Sequence, residues 1–175
     1  MDVSVPFASG MWFIHLGILL FGRSMDFVST WVATPYLVLE GNPIVKVLGW
    51  KWAIVINLSV SVFCAFYPFL AVAITTMSLL VAARNFQGAW LMRLLGEEGY
   101  RDWHVARVQE TPTGIYLLCL LGQTVLVALI GVVLVILHGP GSITFAIGCG
   151  ILFYVVAVGF FTLLAFWRIR RSWSA

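Results

Sequence analysis

Four long apolar stretches restrict what this chain can fold into. They cover residues 9–38, 52–83, 114–137 and 143–167. A helix rises 1.5 Å per residue, so a hydrocarbon core of about 30 Å needs roughly 20 residues, and each stretch is longer than that. Hydrophobic residues make up 62% of the chain and charged residues 10%, which is far more apolar surface than a soluble domain could bury. The sequence predicts an all-α, polytopic membrane protein.

The stretches lack the alternation of apolar and polar residues that transmembrane β-strands require. We predict a single transmembrane domain over residues 1–175, built as a bundle of four transmembrane helices. The first two stretches are too short for two crossings with a turn, so each is expected to cross once with tilt or an extension. In the alternative, the first stretch splits at Gly22–Arg23 into an interfacial helix and a short span. Pro35 and Pro68 lie inside these stretches and predict kinks.

The positions of lysine and arginine predict the orientation. Arginines concentrate in the loop 84–110 and in the tail after residue 167, whereas the segment 40–51 has two lysines and the turn 138–142 has none. Cytoplasmic segments carry an excess of these residues. The loop and both termini are therefore predicted to be cytoplasmic, in a bacterial-type inner membrane. The net charge of +3 follows from this pattern and does not indicate a nucleic-acid partner.

Two opposite charges, Arg23 and Asp26, lie near the middle of the first apolar stretch. A charge at the centre of a bilayer costs about 3 kcal/mol even on the lenient insertion scale, so such residues pair, face a bundle interior or serve a function. Helical spacing places His15 and Thr30 on one stripe with Asp26. Glu40 lies beyond this stripe, at the end of the stretch. The predicted intramembrane polar site comprises His15, Arg23, Asp26, Thr30, Glu40 and Asn42.

Two interpretations of this site remain open. A polar stripe facing the bundle interior could relay protons, bind a metal or hold a polar substrate. In the structural interpretation, Arg23 neutralises Asp26, Thr30 returns its hydroxyl to the Asp26 carbonyl, and His15 fills space nearer the cytoplasmic interface. His15 and Asp26 are roughly 16 Å apart along a helix and cannot share an ion. The sequence contains no zinc-type or nucleotide-binding motif, so neither a metal nor a cofactor is predicted.

The loop 84–110 has the pattern of an amphipathic helix lying at the membrane interface. Apolar side chains share one face, while charged side chains recur every four residues along another. Gly96 and Gly99 are expected to interrupt this helix. It would either anchor the loop or dock a partner, and its candidate residues are Trp90, Arg93, Glu97, Arg101 and His104.

Two short motifs in the first half of the chain are Asp26-x-x-x-Thr30 and Glu40-x-Asn42-Pro43, the latter followed by Gly-Trp-Lys at 49–51. Together they resemble an uncharacterised family of small bacterial membrane proteins. The resemblance covers residues 10–85. It implies a bundle of three or so helices, with an acidic residue in the first span and a Glu-x-Asn-Pro turn after it. The resemblance implies no activity, and it marks the motif residues as residues of interest.

Three classes of function are compatible with these features. The small size, the absence of catalytic motifs and the amphipathic loop favour a non-catalytic accessory or partner-binding component of a membrane complex. The alternative is a small transporter or channel subunit that moves protons, ions or a solute past Arg23 and Asp26. The third class is an intramembrane lipid-modifying enzyme with Asp26, Glu40 or His104 as acid or base. The predicted partners are the lipid bilayer and either another membrane protein or a second copy of the chain.

Overall fold

The computed structural model describes residues 4–39 and 43–171, and six helices lie within them. These are α1 (Gly10–Ala33), α2 (Pro43–Cys64), α3 (Pro68–Leu95), α4 (Glu97–Glu110), α5 (Thr113–Leu137) and α6 (Ile143–Arg171). All of them except α4 are long and apolar enough to cross a membrane. The prediction of an all-α chain with several membrane helices is confirmed. The predicted number of four does not match, because the structure has five such helices.

The second apolar stretch accounts for the additional helix. It was predicted to cross once over residues 52–83, but the chain turns at 65–67, between α2 and α3. Pro68 occupies the first turn of α3, where the missing amide hydrogen costs no helical hydrogen bond. It therefore begins a helix and does not kink one. Each of the two helices also extends beyond the predicted stretch, which supplies the length for two crossings.

The first helix is continuous through the Gly22–Arg23 step, so the predicted alternative split does not occur. Ser9 caps its start by accepting a hydrogen bond from the Trp12 amide at 3.2 Å. The helix ends before the predicted boundary at residue 38. The reason is local, since the residue before Pro35 is disfavoured in the helical region, and the chain instead forms turns over 34–39.

Contacts at the helix ends fix the direction of each helix in the bundle. The Val5 amide donates to the Phe66 carbonyl at 2.9 Å, which ties the start of α1 to the turn between α2 and α3. The end of α1 contacts the start of α4 through Thr34 and Glu97. Helices α1, α3 and α6 therefore run in one direction, and α2 and α5 in the other. The described residues nearest the two termini, Ser4 and Arg171, lie at opposite ends of this bundle, and the side of the membrane on which each terminus lies stays a prediction.

Helices α1 and α3 pack along an interface that we call the α1–α3 seam. Its buried residues recur at steps of three, four or seven residues, as in parallel helices that pack knobs into holes. Small side chains allow the close approach that stabilises helix pairs in membranes; a Cβ atom on Gly22 would lie 3.1 Å from the Thr75 side chain. The buried seam residues are His15, Leu19, Gly22, Ser29 and Ala33 of α1, with Ala71, Ser78, Ala82 and Ala89 of α3.

Helix α6 packs closely against both α3 and α5. A Cβ atom on Gly150 would lie 2.5 Å from the Ala73 carbonyl oxygen, and one on Gly148 would lie 2.9 Å from the Gly131 carbonyl oxygen. Near the other end of α6, the rings of Phe166 and Tyr116 stack at 4.5 Å. These contacts place α6 between α3 and α5.

The segment 84–110, predicted as a cytoplasmic loop, consists of the last turns of α3 and the whole of α4. The two helices are separated at Gly96, which has the left-handed φ of 71° that glycine adopts without strain. Gly99, the second predicted interruption, lies inside α4. Because of the break at Gly96, Arg93 and Glu97 belong to different helices and do not form one helical row.

Candidate functional site: an intramembrane cleft between α1 and α2

Contacts near the two ends of α1 hold α2 beside it and leave a cleft between the two helices. The Trp50 indole donates to the Pro35 carbonyl at 3.0 Å, and Nδ1 of His15 lies 3.2 Å from the Ala65 carbonyl oxygen. The cleft between these contacts has a volume of about 640 Å³, within the range of about 300–1,000 Å³ typical of ligand pockets. We call it the α1–α2 cleft; its lining includes Arg23, Ser24, Phe27, Trp31, Asn57 and Leu58.

The kink at Gly49 shapes the mouth of this cleft. Gly49 has φ 72° and ψ 178°, which interrupts α2 one residue before Trp50. The Trp50 ring then lies 6.0 Å from the Phe27 ring. On the opposite rim, the guanidinium of Arg93 lies 5.6 Å above the Trp31 ring and donates to the Trp31 carbonyl at 3.3 Å. Aromatic side chains therefore line the end of the cleft nearest α4.

Arg23 lines the middle of the cleft, and its pairing with Asp26 is loose. The closest approach, from Nη1 to Oδ2, is 3.8 Å, and both side chains are 26% exposed. This distance exceeds that of a hydrogen bond. The Nε atom of Arg23 is buried and has no hydrogen-bond partner among the described residues. The predicted contact between the two charges is present, and it leaves the Nε donor of the guanidinium unsatisfied among the described residues.

Helical spacing places Asp26 on the side of α1 that faces α3, whereas Arg23 lines the cleft. Asp26 lies four residues after Gly22 and three before Ser29, so it continues the stripe that faces α3. Facing this part of α1, the hydroxyls of Thr75 and Ser78 are buried and lack a hydrogen-bond partner in the part of the chain that the structure describes. The Arg23–Asp26 contact thus joins a lateral cleft to a polar region inside the bundle.

Asn85 of α3 contacts α1 closer to the α4 end of the seam. Its Nδ2 lies 3.2 Å from the hydroxyls of both Ser29 and Thr30. Ser29 donates to the Asp26 carbonyl at 2.8 Å, which is the bond predicted for Thr30. Asn85 was missed because the second membrane span was expected to end at residue 83; the spacing of Ser78, Ala82 and Asn85 was the available signal.

The remaining residues of the predicted polar site are separated from Arg23. His15 is buried where α1 meets the turn between α2 and α3, at the end of the bundle opposite α4. It lies about 16 Å from Asp26 along α1. Glu40 and Asn42 lie outside the described residues, and their place in the site stays a prediction.

Glu97 forms a second polar centre at the α4 end of the bundle. Its carboxylate accepts hydrogen bonds from the Thr34 hydroxyl, from the Tyr36 amide at 2.8 Å and from the Val38 amide at 2.9 Å. Burial raises the pKa of Glu97, but these three bonds and the charge of Arg93 outweigh it, so the pKa lies below its usual value. This carboxylate fixes the turns that follow α1 against the start of α4.

The other predicted interfacial residues do not converge on one site. His104 stacks on Tyr100 at 5.8 Å, and burial lowers its pKa. Arg101 pairs with Asp102 at the surface at 3.1 Å, and Trp90 is exposed. Within residues 4–39 and 43–171, no group of three or more His, Cys, Asp and Glu side chains is placed to hold a metal ion.

Comparison with protein-family models, with curated proteins and with solved structures found no match to this chain. The resemblance of residues 10–85 to a family of small membrane proteins therefore stays a prediction.

Proposed function

We propose that the protein is a non-catalytic, partner-binding component of a membrane complex, and that the partner docks in the α1–α2 cleft. The observation that carries this proposal is the cleft itself, an open groove of about 640 Å³ between two membrane helices with a loosely paired arginine in its wall. Association inside a bilayer gains nothing from removing water, so it depends on shape and on polar contacts between helices. The cleft offers both.

The proposed orientation places the α4 end of the bundle in the cytoplasm of a cell with a bacterial-type inner membrane. Every lysine and arginine except Arg23 and Arg84 lies in or near the segments at that end: Lys46, Lys51, Arg93, Arg101, Arg107, Arg168, Arg170 and Arg171. Among the described residues of the opposite end, 4–9, 65–67 and 138–142, no Asp, Glu, Lys or Arg occurs. The positive-inside rule favours this arrangement. Five crossings then leave the N-terminus outside and the C-terminus inside.

Filling the cleft tests the docking proposal. Leu58 lines the cleft on α2, and Leu126 lies on the exposed face of α5. We expect Leu58→Trp to abolish the native complex, observed as a shift to the mass of the free protein in mild-detergent native electrophoresis, and the matched Leu126→Trp to leave it intact. If the unaltered protein and Leu126→Trp also migrate at the mass of the free protein, the proposal is contradicted.

A second candidate function, a proton-moving transporter subunit, is favoured by one observation. The buried hydroxyls of Thr75 and Ser78 lack protein partners among the described residues and face the part of α1 that carries Asp26. Buried water can satisfy such hydroxyls. A row of polar groups and water molecules that includes a carboxylate can relay protons. The test is proton flux into liposomes containing the purified protein: Asp26→Asn should abolish it, and absence of flux in the unaltered protein would exclude this function.

A further inference from the structure

We propose that the α1–α2 cleft binds a transmembrane helix of a different protein, and that this helix carries an acidic side chain at the depth of Arg23. The inference rests on the proposed docking role of the cleft and adds the chemistry by which the occupant is selected. Three features of the molecule support it: the depth of Arg23, its unsatisfied Nε donor and the position of Asp26.

The depth of Arg23 determines which acidic groups can reach it. Arg23 lies near the middle of α1 (Gly10–Ala33), about 20 Å from one end and about 15 Å from the other at 1.5 Å per residue. Lipid phosphates lie outside the hydrocarbon core of about 30 Å. A bilayer lipid therefore cannot bring its phosphate to Arg23 while its chains remain in the core. A carboxylate on a membrane-crossing helix can lie at this depth.

The N–H donors of Arg23 determine which chemical group the occupant of the cleft must carry. A guanidinium has five N–H donors, and burying such donors unpaired is costly. In this structure the nearest carboxylate oxygen is 3.8 Å away and the Nε atom is buried without a partner among the described residues. A carboxylate entering the cleft can accept two parallel bonds from one guanidinium. The cleft walls near Arg23 are otherwise largely apolar and aromatic, which suits the rest of a membrane helix.

A second copy of this chain does not meet the requirement. Its Asp26 would lie at the correct depth, but Asp26 continues the α1 stripe that packs on α3, and it is not among the residues that line the cleft. To present Asp26 to a neighbouring cleft, a copy would have to turn the α3-facing side of α1 toward that cleft and give up the contact between Asp26 and its own Arg23. The acidic residue must therefore come from a different protein.

Synthetic membrane peptides test this inference with a defined probe. Three Leu/Ala transmembrane peptides that differ in one central residue, Glu, Gln or Leu, are mixed with the full-length protein in phosphatidylcholine vesicles. The protein carries a photocrosslinking residue at Leu58 in the cleft or, as a control, at Leu126 on α5. We expect the Glu peptide to crosslink at position 58 about tenfold more than the Leu peptide, which is the effect of one interhelical polar contact of 1–2 kcal/mol. Position 126 should show no preference.

In the variant Arg23→Gln, crosslinking of the Glu peptide at position 58 should fall to the level of the Leu peptide. The comparison of peptides on the unaltered protein stands even if this variant folds poorly. Equal crosslinking of Glu and Leu peptides at position 58, above position 126, would overturn the acidic occupant while leaving the docking role intact. Crosslinking at position 58 no greater than at position 126 for every peptide would overturn both.

Discussion

Replacing Glu97 with alanine is predicted to release the turns that follow α1 from α4. The Glu97 carboxylate accepts from the amides of Tyr36 and Val38, at 2.8 and 2.9 Å, and from the Thr34 hydroxyl. A hydrogen bond to a charged acceptor contributes about 1.5–3 kcal/mol. We take the lower value for each amide because Glu97 is partly exposed and water can replace some of the lost bond. Since 1.4 kcal/mol corresponds to tenfold, each amide should exchange its hydrogen about tenfold faster.

Amide hydrogen exchange of the purified protein, resolved at Tyr36 and Val38, measures this directly. Glu98→Ala is the matched control, because Glu98 is the next residue of α4 and is exposed. The control should leave both amides unchanged. Unaltered exchange at Tyr36 and Val38 in Glu97→Ala would refute the assignment of this carboxylate as the bond acceptor.

The same contact predicts a pH dependence. The pKa of Glu97 lies below its ordinary value of 4.5, so the folded state favours the carboxylate. Its stabilisation is fully present above pH 4.5 and is lost as the pH falls through the folded pKa. Protection of Tyr36 and Val38, corrected for the intrinsic exchange rate, should therefore fall below pH 4.5 in the unaltered protein. In Glu97→Gln it should not change over that range.

Three further predictions concern packing, titration and topology. Gly150→Ala should destabilise the protein by about 1–3 kcal/mol in thermal unfolding, because the added Cβ would meet the α3 backbone. The control Gly122→Ala places its Cβ in open space and should be tolerated. Equal effects of the two substitutions would contradict the packing of α6. The pKa of His104 is lowered by burial, so its contribution is present above pH 6.5 and declines below it; the melting temperature should fall from pH 7 to pH 5, and less so in His104→Gln. In intact cells, an impermeant maleimide should label Gly139→Cys and not Glu98→Cys, and the reverse would overturn the proposed orientation.

Hydropathy was sufficient to predict the fold class but not the number of helices. A run of apolar residues long enough to cross the bilayer has few stable alternatives to a helix, so the all-α membrane class followed from composition. The turn at 65–67, Ala-Phe-Tyr, contains no polar residue that would separate α2 from α3 in such a profile. Pro68 was the local signal, and it was interpreted as a kink. The separate prediction that the second apolar stretch ends at residue 83 placed Asn85 in a loop, whereas it lies inside α3.

The contact between Arg23 and Asp26 could be predicted because it depends on spacing along one helix. Three residues separate the two side chains, which places them on neighbouring positions of the helix surface. The partners of Ser29, Thr34 and Glu97 could not be predicted in this way. Their contacts join segments far apart in sequence, such as Thr34 with Glu97, and depend on the direction in which each helix runs. Sequence alone therefore located the charged pair but not the seam and the cleft on either side of it.

Site-specific photocrosslinking in native membranes tests whether the α1–α2 cleft is a docking surface. A photoreactive residue is placed at Leu58 in the cleft or at Leu126 on the exposed face of α5. We expect one discrete protein adduct from position 58 that is lost in Arg23→Gln, and none from position 126. The adduct should contain a membrane helix with an acidic residue near its centre. Equal yields of lipid adducts at both positions, with no protein adduct at position 58, would contradict the claim.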